Sequence, residues 1–149
     1  MADAKWLNER EMRTWQGFLA AGALVGREIE QQLKQEGLSH TQYEVLVRLA
    51  AAPEGRLRMT ELADALYTSK SGLSYQVTQL EKSDLVRREP CETDVRGVIA
   101  ILTEHGRGRL EQIAPGHVAT VRRVLIDMLT SEQQDAIADG LGTVAQRLT

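Results

Sequence analysis

Apolar and polar positions follow a helical period along most of the chain, and that period lapses over one long stretch. The first periodic segment opens at "WLNEREM", where Asn8 and Glu11 have the spacing of a capping box and Leu7 and Met12 that of a hydrophobic staple. From Glu9, the residues Trp15, Phe18, Leu19, Val25, Ile29 and Leu33 keep helical spacing as far as "EGLS", with Gly37 suited to a C-terminal cap. Ser39 with Gln42, and Leu38 with Tyr43, repeat the cap and staple, so a second helix starts there and ends before Pro53. A short "RLRM" precedes "TELADALYT", a brief helix expected to be capped by Thr60. Thr103 opens a further helix at "LTEHGRGRL", and Thr130 with Gln133 opens the last one, "SEQQDAIADGLGTVAQRL". The gap in helical pattern lies roughly between Leu85 and Leu102. Strands are expected in it: "LVRREP" and "GVIAIL" are β-branched runs of strand length, and the polar, turn-rich "CETDVRG" between them predicts a β-hairpin.

Just before that gap, "TSKSGLSYQVTQLEK" has an unusual outer side. At about 100° per residue, Leu73, Val77 and Leu80 share one narrow face, opposite Ser71, Tyr75, Thr78 and Lys82, with Ser69, Lys70, Ser74 and Gln79 toward the N-terminal end and flanks. One face packs, and the other is a row of hydroxyls and amides where Glu and Lys would ordinarily stand. Such groups reach base edges and phosphate oxygens, the lysines neutralise phosphate, and a helix N-terminus offers free N–H groups to an anion. The preceding short helix supplies Leu62, Ala63 and Leu66 to the inner side, with "LYTS" as the turn, so the pair reads as a helix-turn-helix followed by a wing. Thr68 and Ser69 also serve as caps.

Composition narrows the partners. The 149 residues fit one domain with a real core, and the formal charge of −3 argues against a general nucleic-acid coat. Between Pro53 and Leu110, nine basic residues balance nine acidic ones, so affinity for an anion must come from placement. Arg56, Arg58, Arg87, Arg88 and Arg96 fall in the loop or strands beside the helix, and strand alternation lets at most one of Arg87 and Arg88 face a docked duplex. A single cysteine, Cys91, fits a reducing compartment; neither a signal peptide nor a membrane-spanning run is visible, which predicts a cytoplasmic chain with no membrane partner. His40, His105 and His117 lack the spacing of a ligand pair, and no phosphate loop, HExxH or GxSxG motif is present, so the expectation is no metal, no cofactor and no enzyme.

The stretch from "LSHTQYEVLVRLAAAPEGRLRMTELADAL" through "SGLSYQVTQLEKSDLVRR" to Asp94-Val95-Arg96-Gly97 and "LTEHG" resembles the core of the MarR (multiple-antibiotic-resistance regulator) family. The resemblance implies a mainly α winged helix-turn-helix fold with a small β-hairpin wing, in one domain over residues 1–149. Residues 37–103 would form the DNA-binding lobe, and residues 1–36 and 104–149 a helical dimerisation region. It implies a homodimeric transcriptional regulator, a repressor by the family's habit, that reads an inverted repeat in double-stranded DNA and is often released by a small phenolic or anionic effector. By position, Arg96 would enter the minor groove with Asp94 orienting it, and Tyr75 holds a base-reading place. The family's frequent basic residue at Tyr75 or Gln76 is missing, which shifts weight to hydroxyl and amide contacts. The candidate DNA-binding set is Arg58, Ser69, Lys70, Ser71, Ser74, Tyr75, Gln76, Thr78, Gln79, Arg88, Asp94 and Arg96. Two alternatives stay open: a winged-helix protein-docking module, which predicts an apolar outer helix face, and a redox-responsive regulator acting through Cys91.

Overall fold

The structure is a computed structural model that describes residues 3–149. Its elements run α1 (Glu9–Gln35), α2 (His40–Ala51), β1 (Arg56–Arg58), α3 (Met59–Ala65), α4 (Lys70–Lys82), β2 (Val86–Pro90), β3 (Val98–Leu102), α5 (Glu104–Val124) and α6 (Ser131–Leu148). The chain divides into two compact units, one of residues up to Gln31 together with Val118–Thr149, the other Gln32–His117. Both cuts fall inside helices, α1 and α5.

Local capping chemistry sets most boundaries. The Asn8 carboxamide accepts from the Glu11 N–H while the Glu11 carboxylate accepts from the Asn8 N–H, satisfying two donors that a helix start leaves free. Ser39 with Gln42 and Thr130 with Gln133 close the same reciprocal box at α2 and α6. At α1's other end, Leu38 N–H reaches back to Leu33 O and Gly37 N–H to Lys34 O, with Gly37 at φ 79°. The same pair of bonds closes α3 around Tyr67 and α4 around Asp84, non-glycine residues at φ 53° and 59°.

Two expected caps are overturned, and at α4 the N-cap is Ser69, not Thr68. Thr60 does not cap α3, which starts at Met59 from Arg58 with no side-chain cap. The reason is tertiary: Arg58 is still paired with Ile99 as the last residue of β1, so the chain passes directly from strand to helix. That strand also lies outside the gap to which strands were assigned. β1 pairs antiparallel with β3, setting Leu57 opposite Ala100, and the expected hairpin of β2 and β3 becomes part of a three-stranded sheet of order β1-β3-β2. Glu54 and Gly55, both at positive φ, turn the chain from α2 into β1.

The core of the Gln32–His117 unit lies where α2, α3 and α4 cover this sheet. Leu46 and Leu49 from α2, Leu62 from α3, Leu73, Val77 and Leu80 from α4, and Val86 and Ala100 from the strands are all fully buried. Each aliphatic side chain of Val or Leu size so removed from water contributes about 1.5 to 3 kcal/mol. At the edge of this core Gly106 permits a close approach: a Cβ there would collide with the Leu85 carbonyl oxygen and lie 2.7 Å from Leu102 Cδ1. Thr103 secures the same junction, donating its hydroxyl proton to Asp84 O and accepting from Gly106 N–H.

The other unit has a different surface. Among its described residues only Ile29 and Thr120 are buried, while Met12, Trp15, Phe18 and Leu19 on α1 and Ile137, Leu141, Val144 and Leu148 on α6 are exposed. The α6 positions repeat at intervals of four, three and four, a continuous apolar stripe. No helix among the described residues is long and apolar enough to cross a membrane.

Candidate nucleic-acid interface

Helix α4 is assembled as a presenting element. Ser69 is its N-cap and accepts from Gly72 N–H at 3.1 Å. Its apolar face of Leu73, Val77 and Leu80 is buried, as expected. On the outside, Lys70, Ser71 and Tyr75 are exposed, Tyr75 at 63 %, and Gln79 is half-buried. The outer face is therefore polar, against the apolar face that a protein-docking module predicts.

Three residues of the candidate DNA-binding set, Gln76, Thr78 and Ser74, make contacts within the lobe. Gln76 accepts a hydrogen bond of 2.9 Å from Gln42 Nε2 and sits against the start of α2. The Thr78 hydroxyl donates to Ser74 O and accepts from Arg88 Nη2 at 2.8 Å, and Ser74 Oγ accepts from Arg88 Nη1 at 3.1 Å. Arg88 also meets Glu81 at 2.5 Å. Strand alternation points Arg88 toward α4, while Arg87 is exposed and pairs with Glu89.

The wing is shaped by its own backbone and by Asp94. Asp94 Oδ1 accepts from Arg96 N–H at 3.0 Å and Asp94 O from Gly97 N–H, so Asp94 forms the turn and touches the backbone of Arg96, with no ion pair to its guanidinium. Gly97 is required by packing, since a Cβ there would lie 2.9 Å from Cys91 Cβ. Arg58 anchors the loop from β1 by donating to Thr93 Oγ1 at 3.1 Å. The buried Cys91 Sγ lies 3.3 Å from the same Thr93 hydroxyl, which holds the thiol pKa below its ordinary value.

Between wing and α4 lies a cleft of about 430 Å³ lined by Arg58, Lys70, Ser74, Arg88, Asp94 and Arg96. Its cations differ in state. Arg58 and Arg88 are paired with Glu61 and Glu81, whereas Lys70 and the exposed Arg96 form no ion pair among the described residues. Charge left unpaired at a cleft mouth is what a polyanion would neutralise. Position had singled out neither Glu81 nor Thr93, the partners that fix Arg88 and Arg58.

A second polar cluster lies away from this face. The His117 ring lies against Tyr43, tilted by 39° with centroids 4.2 Å apart, and 6.3 Å from His40, which pairs with Glu44. Burial, then the His40 charge, lower the His117 pKa, with Glu44 acting the other way. Burial, then Glu44, raise the Tyr43 pKa. No group of three or more metal-ligating side chains occurs among the described residues.

Comparisons with known proteins agree with this geometry. The MarR family model matches residues 36–97. The HTH-type transcriptional repressor YetL of Bacillus subtilis is 30 % identical over 81 % of this chain and 72 % of its own. The crystal structure of AbsC, a MarR family transcriptional regulator from Streptomyces coelicolor, superposes with a TM-score of 0.92 at 41 % identity, over 97 % of this chain and 98 % of AbsC. Sco3205 from the same organism, a MarR family transcriptional regulator solved in complex with DNA, superposes at 0.94, also 41 % identical, over 98 % of this chain and 92 % of Sco3205. With a winged helix-turn-helix lobe, a polar outward helix and these relatives, the chain belongs to the MarR family of transcriptional regulators.

Proposed function

We propose that this protein is a cytoplasmic, non-enzymatic repressor that binds a pseudo-palindromic operator as a homodimer. The observation that carries this reading is the outward arc of α4, where Ser71 and Tyr75 are exposed beside the unpaired cations Lys70 and Arg96. Ser71, Tyr75 and Gln79 read base edges in the major groove; Ser69 caps the helix whose N-terminus faces phosphate, and Lys70 neutralises that phosphate. Arg96, at the wing tip that Asp94 shapes, enters the minor groove or meets its bounding phosphates. Arg58 holds the wing, and Gln76 holds the helix against α2. Residues 1–36 and 104–149 supply the dimerisation region, because the exposed stripes of α1 and α6 need a partner to leave water. Release by a small phenolic or anionic effector, the family's common mode of control, completes the reading.

Selection of bound duplexes from a random pool tests it. The enriched sequences should contain an inverted repeat with half-site centres about 10 bp apart, as two-fold symmetry requires. A pool that shows no enrichment, or single half-sites only, contradicts it.

A further inference from the structure

Arginines beside a recognition helix are ordinarily counted as phosphate contacts, yet the surroundings of Arg88 are those of a strut. Its guanidinium meets three α4 side chains, Ser74 Oγ at 3.1 Å, Thr78 Oγ1 at 2.8 Å and Glu81 Oε1 at 2.5 Å. These residues lie at i, i+4 and i+7, one edge of the helix. Gln76, on the edge flanking the other side of the buried stripe, is held by Gln42 of α2. The apolar stripe of Leu73, Val77 and Leu80 sets how deeply α4 sits but leaves its rotation about its own axis loosely defined, because apolar packing is not directional. Hydrogen bonds are directional, and a planar five-donor fork is suited to fixing an angle. The arc left between the two held edges carries Ser71, Tyr75 and Gln79.

We infer that Arg88 is a positioning residue for base readout: clamped to Glu81, Thr78 and Ser74, it sets the rotation of α4, and it does not serve as a phosphate contact. The inference rests on the DNA-binding reading above. The Glu81 carboxylate already cancels the guanidinium charge, so the pair releases no counterion from a docked duplex. Thr78 spends its hydroxyl within the clamp, donating to Ser74 O and accepting from Arg88, which removes it from the base-reading set, and Ser74 gives its hydroxyl oxygen to Arg88.

The two roles predict different changes in discrimination for Glu81→Gln. Were Arg88 a phosphate contact, removing Glu81's charge would free it and tighten binding to any duplex. As a clamp, the loss should lower the ratio of operator to scrambled affinity roughly tenfold, the size of one good base contact, whatever the freed charge adds to both duplexes alike. The full-length protein, Arg88→Ala, Arg88→Lys and Glu81→Gln are titrated by fluorescence anisotropy against a pool-selected operator and a scrambled duplex across a salt series. All three variants should lose discrimination, read as a fall in the ratio of operator to scrambled affinity, and Arg88→Lys, which keeps the charge balance with Glu81, should also keep the wild-type slope of log K on log salt. Arg88→Lys keeps the charge and loses the fork, so it should fail to rescue. Glu81→Gln binding both duplexes more tightly with an unchanged ratio, equal losses on both duplexes with a slope lower by about 1.8 per dimer in Arg88→Ala, or variants matching wild type would each overturn the clamp. The isosteric Glu81→Gln decides the question even where Arg88→Ala fails to fold. A wild-type protein that does not discriminate would remove the underlying reading instead, and that failure shows before any variant is compared.

Discussion

Gln42 Nε2 donates a hydrogen bond of 2.9 Å to Gln76 Oε1, and the same Gln42 closes the capping box of α2 by accepting from Ser39 N–H at 3.0 Å. One side chain therefore fixes the start of α2 and holds the middle of α4. Helix start and recognition face are coupled through a half-buried amide.

Replacing Gln76 with Ala leaves the Gln42 amide without this acceptor in a half-buried site. The expected cost is about 1 to 2 kcal/mol of stability, seen as a lower urea midpoint with an unchanged m value. An unchanged midpoint would mean that solvent replaces Gln76 without penalty.

Gly106→Ala should be worse. The added methyl meets the Leu85 carbonyl oxygen and Leu102 Cδ1 where α5 leaves the sheet, and the backbone must move to admit it. Overpacking of this kind costs about 1 to 3 kcal/mol. Thermal unfolding of the variant checks this, with Gly108→Ala, where a Cβ meets nothing within 4 Å, as the paired control expected to be neutral or better.

His117 predicts a pH dependence with a definite sign. Its folded pKa lies below the ordinary value of 6.5, first through burial and then through His40, with Glu44 opposing. The unfolded chain therefore binds a proton that the folded chain refuses just below that pH. This contribution to stability is intact above about pH 6.5 and is lost as pH falls toward the lowered folded value. Nδ1 of His117 is buried with no hydrogen-bond partner among the described residues, so His117→Phe, which keeps the ring contact with Tyr43, should flatten stability between about pH 5 and 7. An identical pH profile in the variant would assign the dependence to other groups.

The stripe of Ile137, Leu141, Val144 and Leu148 predicts association. Leu141→Asp places a charge in the middle of that stripe, and a charge buried at an interface without a partner is strongly unfavourable. Sedimentation equilibrium at micromolar concentration should show wild-type dimer and dissociated variant. A stable, folded wild-type monomer would remove the dimerisation region from the account.

Much of this architecture was legible because its signals are local. A capping box is a relation between i and i+3, and the three expected at Asn8, Ser39 and Thr130 are all formed. Helical spacing likewise identified Leu73, Val77 and Leu80 as the buried face and Ser71 and Tyr75 as exposed. What the sequence hid was set by distant partners. β1 is three residues long and pairs with the distant β3, and that pairing displaced the start of α3 from the expected Thr60 cap. Thr78 and Gln76 lie at the margins of the outward arc, where an angular position cannot tell whether Arg88 or Gln42 will reach them first. Asp94, expected from the resemblance to orient Arg96, accepts from the Arg96 backbone N–H, a turn-forming contact that position in the motif does not reveal.

The central claim is that the outward arc of α4 reads bases while the wing supplies charge. Tyr75→Ala and Arg96→Ala separate these on operator and scrambled duplex over a salt series. Arg96→Ala should weaken both duplexes and lower the salt slope by about one unit per subunit. The deciding quantity is the ratio of operator to scrambled affinity in Tyr75→Ala. A fall in that ratio equivalent to about 1 to 3 kcal/mol, with scrambled-duplex binding kept, is the predicted result. An unchanged ratio in a folded, dimeric Tyr75→Ala protein would contradict the claim.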